Sequence, residues 1–279
     1  MKAVALDLDG TLLNSKKEIS EENKNILKKL SENGVEILIV TGRPYPITKK
    51  IAQSLEIPLT VICYNGARVM NLKTDEIIFE KVLEENQVLK IIEFCRKNKK
   101  DLNLFQNDIW YVEDLGSIGT KYYKNNSKLE PILRSFDTFD NLQMIKSIII
   151  DENDILEKVE KELRDILGNT VYFTYSQDKY LEILNKDVNK GLTLKNVLEE
   201  KGIEMSECIA FGDAHNDLEM LELAGVGVAM GNAHEILKSR VQHITDTNDN
   251  DGVAKFLKSW KSLKKYGEVW GLKVPSNLV

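Results

Sequence analysis

The sequence predicts an α/β fold, in which a second, α+β unit is inserted into a parallel-sheet core. Two observations support this prediction. Short, wholly apolar segments alternate with amphipathic helical segments near both ends of the chain, and the middle of the chain interrupts that alternation. Strands that are apolar along their whole length are typical of a parallel sheet covered on both faces.

The N-terminal part of the chain predicts three strands separated by two helices. Ser20 is a suitable N-cap for the first helix, and Gly34 follows that helix as a stop signal. The second helix is expected at residues 47–55. The predicted strands are residues 3–8, 36–40 and 59–64, with a further short strand at 64–67.

The alternation resumes in the C-terminal part, whereas the middle of the chain has a different pattern. The C-terminal part predicts helices at 191–201, 217–224, 233–238 and 253–263, and strands at 208–211 and 225–230. The middle predicts helices at 83–99 and 154–167, a hairpin of 103–106 with 109–113, and strands at 143–150, 170–176 and 180–184. We therefore predict a core of residues 1–82 and 186–279 and an inserted domain of residues 83–185. The basic segment after Trp260 has no readable role.

Composition limits the class of protein. The chain has 279 residues, 42% of them hydrophobic, and a net charge of −6, so it is neither fibrous nor disordered and lacks the positive field of a nucleic-acid binder. No apolar run approaches the ~18 residues of a membrane span, and Asp7 interrupts the N-terminal apolar segment too early for a signal peptide. We expect a cytoplasmic monomer or homodimer with no nucleic-acid or membrane partner. The three cysteines, Cys63, Cys95 and Cys208, are expected to be reduced core thiols.

An acidic pair provides the strongest local signal. Asp7 and Asp9 follow a predicted buried strand, and Gly10 permits a tight turn after them. Side chains two residues apart on a strand point the same way. Two neighbouring carboxylates are costly unless a cation or a shared proton compensates. The alternative interpretation is an exposed turn with two solvated acids.

Two further motifs point to an anion site. Thr41 and Gly42 follow the second predicted strand and precede a helix, which places a hydroxyl and free backbone N–H groups where an anion can bind. Thr41 could instead cap the helix, with Arg43 as a surface charge. Lys190 precedes a helix, where a lone lysine is usually solvated.

A second acidic motif follows the strand predicted at 208–211. Asp213 and Asp217 bracket a loop that enters a helix, and Asn216 lies between them. Carboxylates at this spacing suit a hard, oxygen-ligated cation such as Mg²⁺. The alternative is an acidic helix N-terminus that interacts with the helix dipole.

These four motifs, in this order at strand ends, resemble the haloacid dehalogenase-like (HAD) hydrolase superfamily. The resemblance covers residues 1–82 and 186–258, and implies a Rossmann-like parallel-sheet core with an inserted α+β cap. Three weaker strings resemble the Cof-type branch, which carries a large α/β cap: Tyr64-Asn65-Gly66-Ala67, Tyr180-Leu181-Glu182-Ile183 and Asp251-Gly252-Val253-Ala254.

The resemblance implies a phosphatase acting through an aspartyl-phosphate. Asp7 would be the nucleophile, and Asp9 the general acid, for which we expect a raised pKa. The implied Mg²⁺ ligands are the Asp7 carboxylate, the Asp9 backbone carbonyl and Asp213, with Asp217 as a second-shell or alternative ligand. The residues implied to hold the phosphoryl oxygens are Thr41, Gly42, Lys190 and Asn216.

The expected substrate is a small phosphorylated metabolite, such as a sugar phosphate. A phosphomutase or phosphotransferase would use the same residues, and a non-catalytic binding protein or a phospho-acceptor domain is a more distant alternative. Glu182 and Asn185 could touch the substrate, and Arg43 could contact it or support the cap. We expect His215 to be exposed, and most cap aromatics to be core residues, namely Trp110, Tyr111, Tyr172 and Tyr175.

Overall fold

The computed structural model describes residues 1–267, with side chains as far as Trp260. It contains two sheets, and the predicted fold class, a parallel-sheet core with an inserted α+β unit, is confirmed. The basic side chains after Trp260 lie outside the described residues. Within the described part, Cys63, Cys95 and Cys208 are buried free thiols. None of the described helices is long and apolar enough to span a bilayer.

The first part of the chain forms five strands of the first sheet and two helices. Apolar segments form the buried strands, and helix α1 begins where the Ser20 side chain accepts a hydrogen bond from the backbone N–H of Asn23. The elements are β1 (Ala3–Leu6), α1 (Glu21–Glu32), β2 (Glu36–Val40), α2 (Tyr45–Gln53), β3 (Thr60–Cys63), β4 (Arg68–Asn71) and β5 (Ile77–Glu80).

The second sheet and its helices come next in the chain. They are α3 (Glu85–Asn98), β6 (Asp101–Gln106), β7 (Ile109–Val112), α4 (Ile118–Ser127), β8 (Ile132–Leu133), β9 (Lys146–Ile150), α5 (Asn153–Leu167), β10 (Val171–Gln177) and β11 (Tyr180–Asn185). The chain then returns to the first sheet with α6 (Lys190–Glu200), β12 (Cys208–Gly212), α7 (Leu218–Leu223), β13 (Val226–Ala229), α8 (Glu235–Arg240), β14 (His243–Ile244) and α9 (Gly252–Gly267).

The first sheet has the order β14-β13-β12-β1-β2-β3-β4-β5. Strands β14 to β3 are parallel, and β4 and β5 add an antiparallel edge. Strand β1 lies between β12 and β2, and Leu6 at its end is paired with Phe211 and Ile39. Because the three strands are parallel and in register, the residues that follow them meet at one edge of the sheet.

The strand predicted at residues 64–67 is wrong. Residues Tyr64–Gly66 form a 3₁₀ turn with left-handed backbone, with φ values of 51°, 54° and 105° at residues 64, 65 and 66. A Cβ on Gly66 would lie 2.6 Å from the carbonyl oxygen of Asn189. The turn therefore packs closely against the start of α6. The prediction also lacked the β4–β5 hairpin, α4, β8 and β14.

The second sheet has the order β10-β11-β9-β6-β7-β8. Helices α3 and α5 cover one face with a separate apolar cluster. On the other face, Phe105, Trp110 and Tyr123 share one continuous apolar cluster with Tyr64 of the core. Because this cluster crosses between the two units, burial does not define their boundary, and residues 83 and 185 remain our proposed limits of the inserted cap.

The Gly191→Ala substitution tests how closely α6 must approach α7. A Cβ at Gly191 would lie 2.7 Å from backbone atoms of Glu219, so the helices must separate to accommodate it. We expect a loss of about 1–3 kcal/mol in the free energy of unfolding, measured by urea denaturation. Gly116→Ala is the matched control, because its Cβ would meet only the Asp114 side chain, at 3.1 Å. Equal stability of the two variants would contradict the predicted close approach.

Candidate active site

Three strand ends deliver the acidic and hydroxyl residues to one edge of the first sheet. Asp7 follows β1, and its N–H donates to the carbonyl of Phe211 on β12 at 3.1 Å. Thr41 follows β2, and its N–H donates to the carbonyl of Ile62 on β3 at 2.9 Å. Asp213 follows β12 directly. Ligands of open α/β sheets bind outside this carboxyl edge.

A buried ammonium group joins two of the carboxylates. Lys190, the first residue of α6, is 1% exposed. Its Nζ lies 2.6 Å from Asp7 Oδ1 and 2.5 Å from Asp217 Oδ1. Burial works against the charged form of Lys190, but Asp217 and Asp7 outweigh it and raise the lysine pKa above its usual range. The structure thus brings Lys190, which was expected to hold a phosphoryl oxygen, onto the acidic motifs.

The carboxylates of Asp7, Asp213 and Asp217 form a cluster. One oxygen from each lies within 4.8 Å of the others. Burial, followed by the charge of Asp217, raises the pKa of Asp213 to about 7, although the Thr11 hydroxyl donates to it at 2.9 Å. Burial also raises the pKa of Asp7 well above its usual range, against the opposing charge of Lys190. Full ionisation of the cluster would therefore place more negative charge in this buried site than Lys190 alone can neutralise.

The residues of the cluster fit a divalent cation. The donors are carboxylate oxygens, the ligands that hard cations prefer, and a second positive charge would relieve the raised pKa values. Gly10 keeps the loop after Asp9 against Asp213: its φ is 73°, and a Cβ there would lie 2.2 Å from Asp213 Oδ2. Asp217 already uses both oxygens, one on Lys190 and one accepting from the N–H groups of Asp213 and Ala214, each at 3.0 Å.

The expectation of a raised pKa for Asp9 is wrong for this structure. Arg43 binds its carboxylate in a bidentate manner, with Nε 2.5 Å from Oδ2 and Nη2 2.6 Å from Oδ1. Lys17 Nζ adds a third contact at 2.8 Å. Partial burial raises the pKa of Asp9, but these two cations together outweigh it and lower the pKa to about 2. Sequence reasoning left the role of Arg43 open and did not consider Lys17.

The residues expected to hold phosphate lie around the same edge. Thr41 is buried, and its Oγ1 accepts from the N–H of Arg43 at 3.2 Å. Asn216 is also buried, and its Nδ2 donates to Asn65 Oδ1 at 2.8 Å. A Cβ on Gly42 would lie 2.9 Å from Asn65 Oδ1, so a glycine at this position allows Asn65 to lie against the loop.

A cavity of about 250 Å³ opens between this edge and the cap. Asp7, Asp9, Thr41, Gly42 and Asn216 line it from the core. The cap contributes polar and aromatic side chains, namely Tyr122, Tyr123, Asn126, Ser127, Lys146, Ser176, Gln177, Tyr180 and Glu182. Lys190 lies behind Asp7, hydrogen-bonded to it.

None of the four aromatics expected mostly in the cap core lines the cavity. Trp110 and Tyr111 are buried, and the hydroxyls of Tyr172 and Tyr175 bind Glu219 and Glu160. The cavity-lining tyrosines belong to α4, which the sequence did not predict, and to β11. Aromatic spacing on α4 carried no distinctive signal that could have found them.

Two other expected positions have different outcomes. His215 is exposed, as predicted. Asn185 does not line the cavity: its Nδ2 donates to the carbonyl of Val82 at 2.8 Å and so joins the two segments that connect core and cap.

Comparisons with known proteins agree with the fold and the motifs. The family model for haloacid dehalogenase-like hydrolases matches residues 4–257. A 5-amino-6-(5-phospho-D-ribitylamino)uracil phosphatase of Bacillus subtilis is 31% identical over 263 residues, which cover 93% of this chain and 96% of that protein. A second Bacillus subtilis phosphatase of the same name is 30% identical over 268 residues, covering 93% and 97%.

Solved structures give the same result. A haloacid dehalogenase-like hydrolase from Bacteroides thetaiotaomicron has a TM-score of 0.83 at 33% identity and covers 93% of this chain and 99% of that one. A HAD subclass IIB sugar phosphatase has a TM-score of 0.82 at 25% identity, covering 94% and 99%. The predicted resemblance and the prediction of a phosphoric monoester hydrolase are confirmed. The chain belongs to the haloacid dehalogenase-like hydrolases.

Proposed function

We propose that this protein is a Mg²⁺-dependent phosphatase that hydrolyses a small, hydroxyl-rich phosphomonoester, such as a sugar phosphate, through an aspartyl-phosphate on Asp7. One observation carries the proposal. A single cavity of about 250 Å³ is lined by the candidate nucleophile, the candidate proton carrier and three candidate phosphate ligands. Its size, just below the roughly 300–1,000 Å³ of typical small-molecule sites, favours a small metabolite over a macromolecule.

Asp7 would form the covalent bond. A carboxylate oxygen of Asp7 attacks phosphorus, the bond from phosphorus to the ester oxygen breaks, and that oxygen leaves as the alcohol. Lys190, 2.6 Å from Asp7 Oδ1, favours the ionised form of this buried carboxylate and holds it in place. Water then attacks the phosphorus of the aspartyl-phosphate, which releases inorganic phosphate and restores Asp7.

Asp9 would carry the proton in both steps. It protonates the leaving alcohol and later accepts a proton from the attacking water. With its pKa lowered to about 2 by Arg43 and Lys17, Asp9 is ionised in the absence of substrate. We infer that a bound phosphoryl dianion competes for both cations and adds negative charge next to Asp9. Both changes raise the pKa of Asp9 toward the range in which it can donate a proton.

Mg²⁺ would be held by the carboxylates of Asp7 and Asp213 and by the backbone carbonyl of Asp9. When bound, it supplies positive charge that offsets the repulsion between Asp7 and the phosphoryl oxygens. Both oxygens of Asp217 are already hydrogen-bonded. That arrangement favours an indirect role for Asp217, in which it orients Lys190 and the Asp213 loop.

The cap would bind the leaving group. Asn126, Ser127 and Gln177 bring amide and hydroxyl side chains to the cavity lining, and Tyr122 and Tyr180 add aromatic ones. Such a lining suits a polyol chain or sugar, which presents both C–H faces and hydroxyls. The named Bacillus relatives act on a phosphorylated ribityl chain attached to a uracil ring, so that compound is a candidate substrate here.

The substrate proposal is tested with a panel of phosphomonoesters assayed for phosphate release. We expect sugar and polyol phosphates, including 5-amino-6-(5-phospho-D-ribitylamino)uracil, to have higher kcat/KM than phosphorylated amino acids. Asn126→Ala should lower kcat/KM for the best polyol phosphate while leaving an aryl phosphate unaffected, since an aryl group has no hydroxyls. Equal rates across the panel would contradict a hydroxyl-rich substrate. Phosphorylated product without free phosphate would instead indicate a phosphomutase or phosphotransferase.

Substitutions at Asp7, Asp9 and Lys190 test the mechanism. Asp7→Asn should abolish turnover and acid-stable phosphate labelling of the protein, because it removes the covalent route. Asp9→Asn should lower kcat by ~10²–10⁴-fold, and Lys190→Ala by about 10²–10³-fold. The checks are phosphate release and mass spectrometry of acid-quenched protein. Full turnover by Asp7→Asn would exclude the aspartyl-phosphate, and full turnover by Lys190→Ala would exclude the role given to Lys190.

The raised pKa of Asp213 predicts pH-dependent metal binding. Below its pKa of about 7 the side chain carries a proton in the metal-free protein, and a metal must displace that proton. Because folding raises the pKa of Asp213, this side chain stabilises the metal-free protein at low pH. That contribution to the free energy of unfolding is lost as the pH rises through about 7. Mg²⁺ should therefore raise Tm more at about pH 8 than at about pH 6.

Differential scanning calorimetry with and without Mg²⁺ measures this effect. Asp213→Asn is the control, and it should show little Mg²⁺-dependent increase at either pH. An increase in Tm that is the same at both pH values in the unsubstituted protein would contradict the assignment of Asp213 as a metal ligand.

A further inference from the structure

A second buried ion pair lies in the cap, next to the catalytic cavity. Lys146 on β9 and Glu182 on β11 are 1% and 2% exposed, and Lys146 Nζ lies 2.8 Å from Glu182 Oε2. The ammonium also lies over the rings of Phe105 and Tyr64, at 5.4 and 5.7 Å from their centroids. Ser176 donates to the other oxygen of Glu182. Removing two charges from water is costly, so the pair needs further contacts to offset that cost.

Those further contacts are with the core. Glu182 Oε2 accepts a hydrogen bond from Asn65 Nδ2 at 2.9 Å. Asn65 Oδ1 in turn accepts from Asn216 Nδ2 at 2.8 Å. Lys146 Nζ donates to the carbonyl oxygen of Gly42 at 2.9 Å. Glu182 thus reaches Asn216 by way of Asn65, and Lys146 contacts Gly42 directly. We assign both Asn216 and Gly42 to phosphate binding.

The chemistry of Glu182 sets the direction of the whole chain of hydrogen bonds. An ionised carboxylate can only accept, so the Asn65 amide must present its nitrogen to Glu182 and its oxygen to Asn216. Asn216 must then turn its own nitrogen toward Asn65. Its Nδ2 carries two hydrogens, of which Asn65 uses one, and the second is available to a phosphoryl oxygen in the cavity.

The buried oxygen of Asn216 supports this reading. Among the described residues, Asn216 Oδ1 has no hydrogen-bond partner. A free asparagine would rotate to satisfy its oxygen and expose it to a water or donor. The orientation seen here leaves the acceptor unused and the donor facing Asn65, which is the arrangement that Glu182 and Asn65 impose.

We propose that Glu182, held by Lys146, is a positioning residue that orients the phosphate-binding Asn216 through Asn65. The inference rests on the proposed function, since the residues assigned to phosphate binding, here called the phosphate cradle, serve that reaction. The cap completes the phosphate cradle, because Asn65 contacts Glu182 and the Gly42 carbonyl contacts Lys146 only when the cap lies on the core. Phosphate binding is thereby coupled to closure over the cavity.

If Lys146 and Glu182 only held the cap on the core, removing another cap–core ion pair should weaken phosphate binding equally. The structure offers a matched contact: Asp108 of the β6–β7 turn lies 2.6 Å from Arg68 Nη1 of the core, and Arg68 is 3% exposed. This pair also joins cap to core, but it contacts none of Thr41, Gly42 and Asn216. Asp108→Asn removes the charge and suits the left-handed backbone at residue 108, where φ is 62°.

Two variants interrupt the relay at different points. Asn65→Gly removes the intermediate amide, leaves the ion pair in place and suits the left-handed φ of 54°. The double variant K146M/E182L removes both charges together, so neither is left buried alone. Inorganic phosphate is titrated calorimetrically into each Mg²⁺-loaded protein, kcat and KM are measured with the best phosphomonoester, and thermal melting verifies folding.

We expect both relay variants to bind inorganic phosphate roughly ten- to a hundredfold more weakly than the unsubstituted protein. Asp108→Asn should keep the phosphate affinity of the unsubstituted protein, whatever its effect on Tm. Folded relay variants with unchanged phosphate affinity would overturn the inference, as would an equal loss in Asp108→Asn. If K146M/E182L does not fold, Asn65→Gly decides alone.

Failure of the proposed function gives a separate result. An unsubstituted protein that releases no phosphate from any ester would refute the phosphatase proposal. The calorimetric comparison still decides the relay in that case, because it measures phosphate binding without turnover.

Discussion

The contact of Lys190 with Asp7 and Asp217 is the constraint on which the site depends. Three carboxylates converge at the carboxyl edge of the sheet, and burial of that much like charge is costly. The ammonium of Lys190, at 2.6 and 2.5 Å from two of them, offsets part of the cost. The raised pKa values of Asp7 and Asp213 show that it does not offset all of it. The remaining excess of negative charge is what makes the cluster suited to a divalent cation.

The fold provides that contact through close backbone approaches. Lys190 reaches Asp7 because α6 begins immediately beside the turn at residues 64–66, where Gly66 has no Cβ to hold the helix away. Asp217 reaches Lys190 because α6 and α7 pack closely at Gly191. The glycines near the site thus determine distances between charges, and the stability of this region and the electrostatics of the site have the same structural origin.

Much of the fold could be predicted from sequence, because apolar strands and amphipathic helices have different periodicities. The acidic motifs could also be placed at one sheet edge, since parallel strands end together. The contacts around Asp9 could not. Lys17 lies in a loop without a motif, and Arg43 could equally have been a surface charge, yet together they reverse the expected direction of the Asp9 pKa shift. Long-range pairing of side chains has no signature in local sequence.

The contacts of the cap residues could not be predicted from sequence for a related reason. Glu182 is 2% exposed, and its partners Lys146 and Asn65 are far away in the chain. A glutamate on an otherwise apolar strand can be recognised in the sequence as unusual. Its position does not predict whether the carboxylate contacts a substrate or a lysine. Only the packing of β9 beside β11 shows that the carboxylate meets Lys146.

The two buried charge networks meet in one loop. Asp213 and Asp217, which belong to the core cluster, flank Asn216, at which the hydrogen-bond chain from the cap ends. Two of the groups in the carboxylate cluster and the group suited to a phosphoryl oxygen therefore lie on one short segment between β12 and α7. Lys190 holds one side of that segment, and Glu182, through Asn65, holds the other. In the proposed relay, displacement of the cap removes the support of Asn216 and leaves the contact of Lys190 with Asp217 in place. The proposed relay therefore allows the carboxylate cluster to stay assembled in an open protein, while the orientation of Asn216 is fixed only after closure.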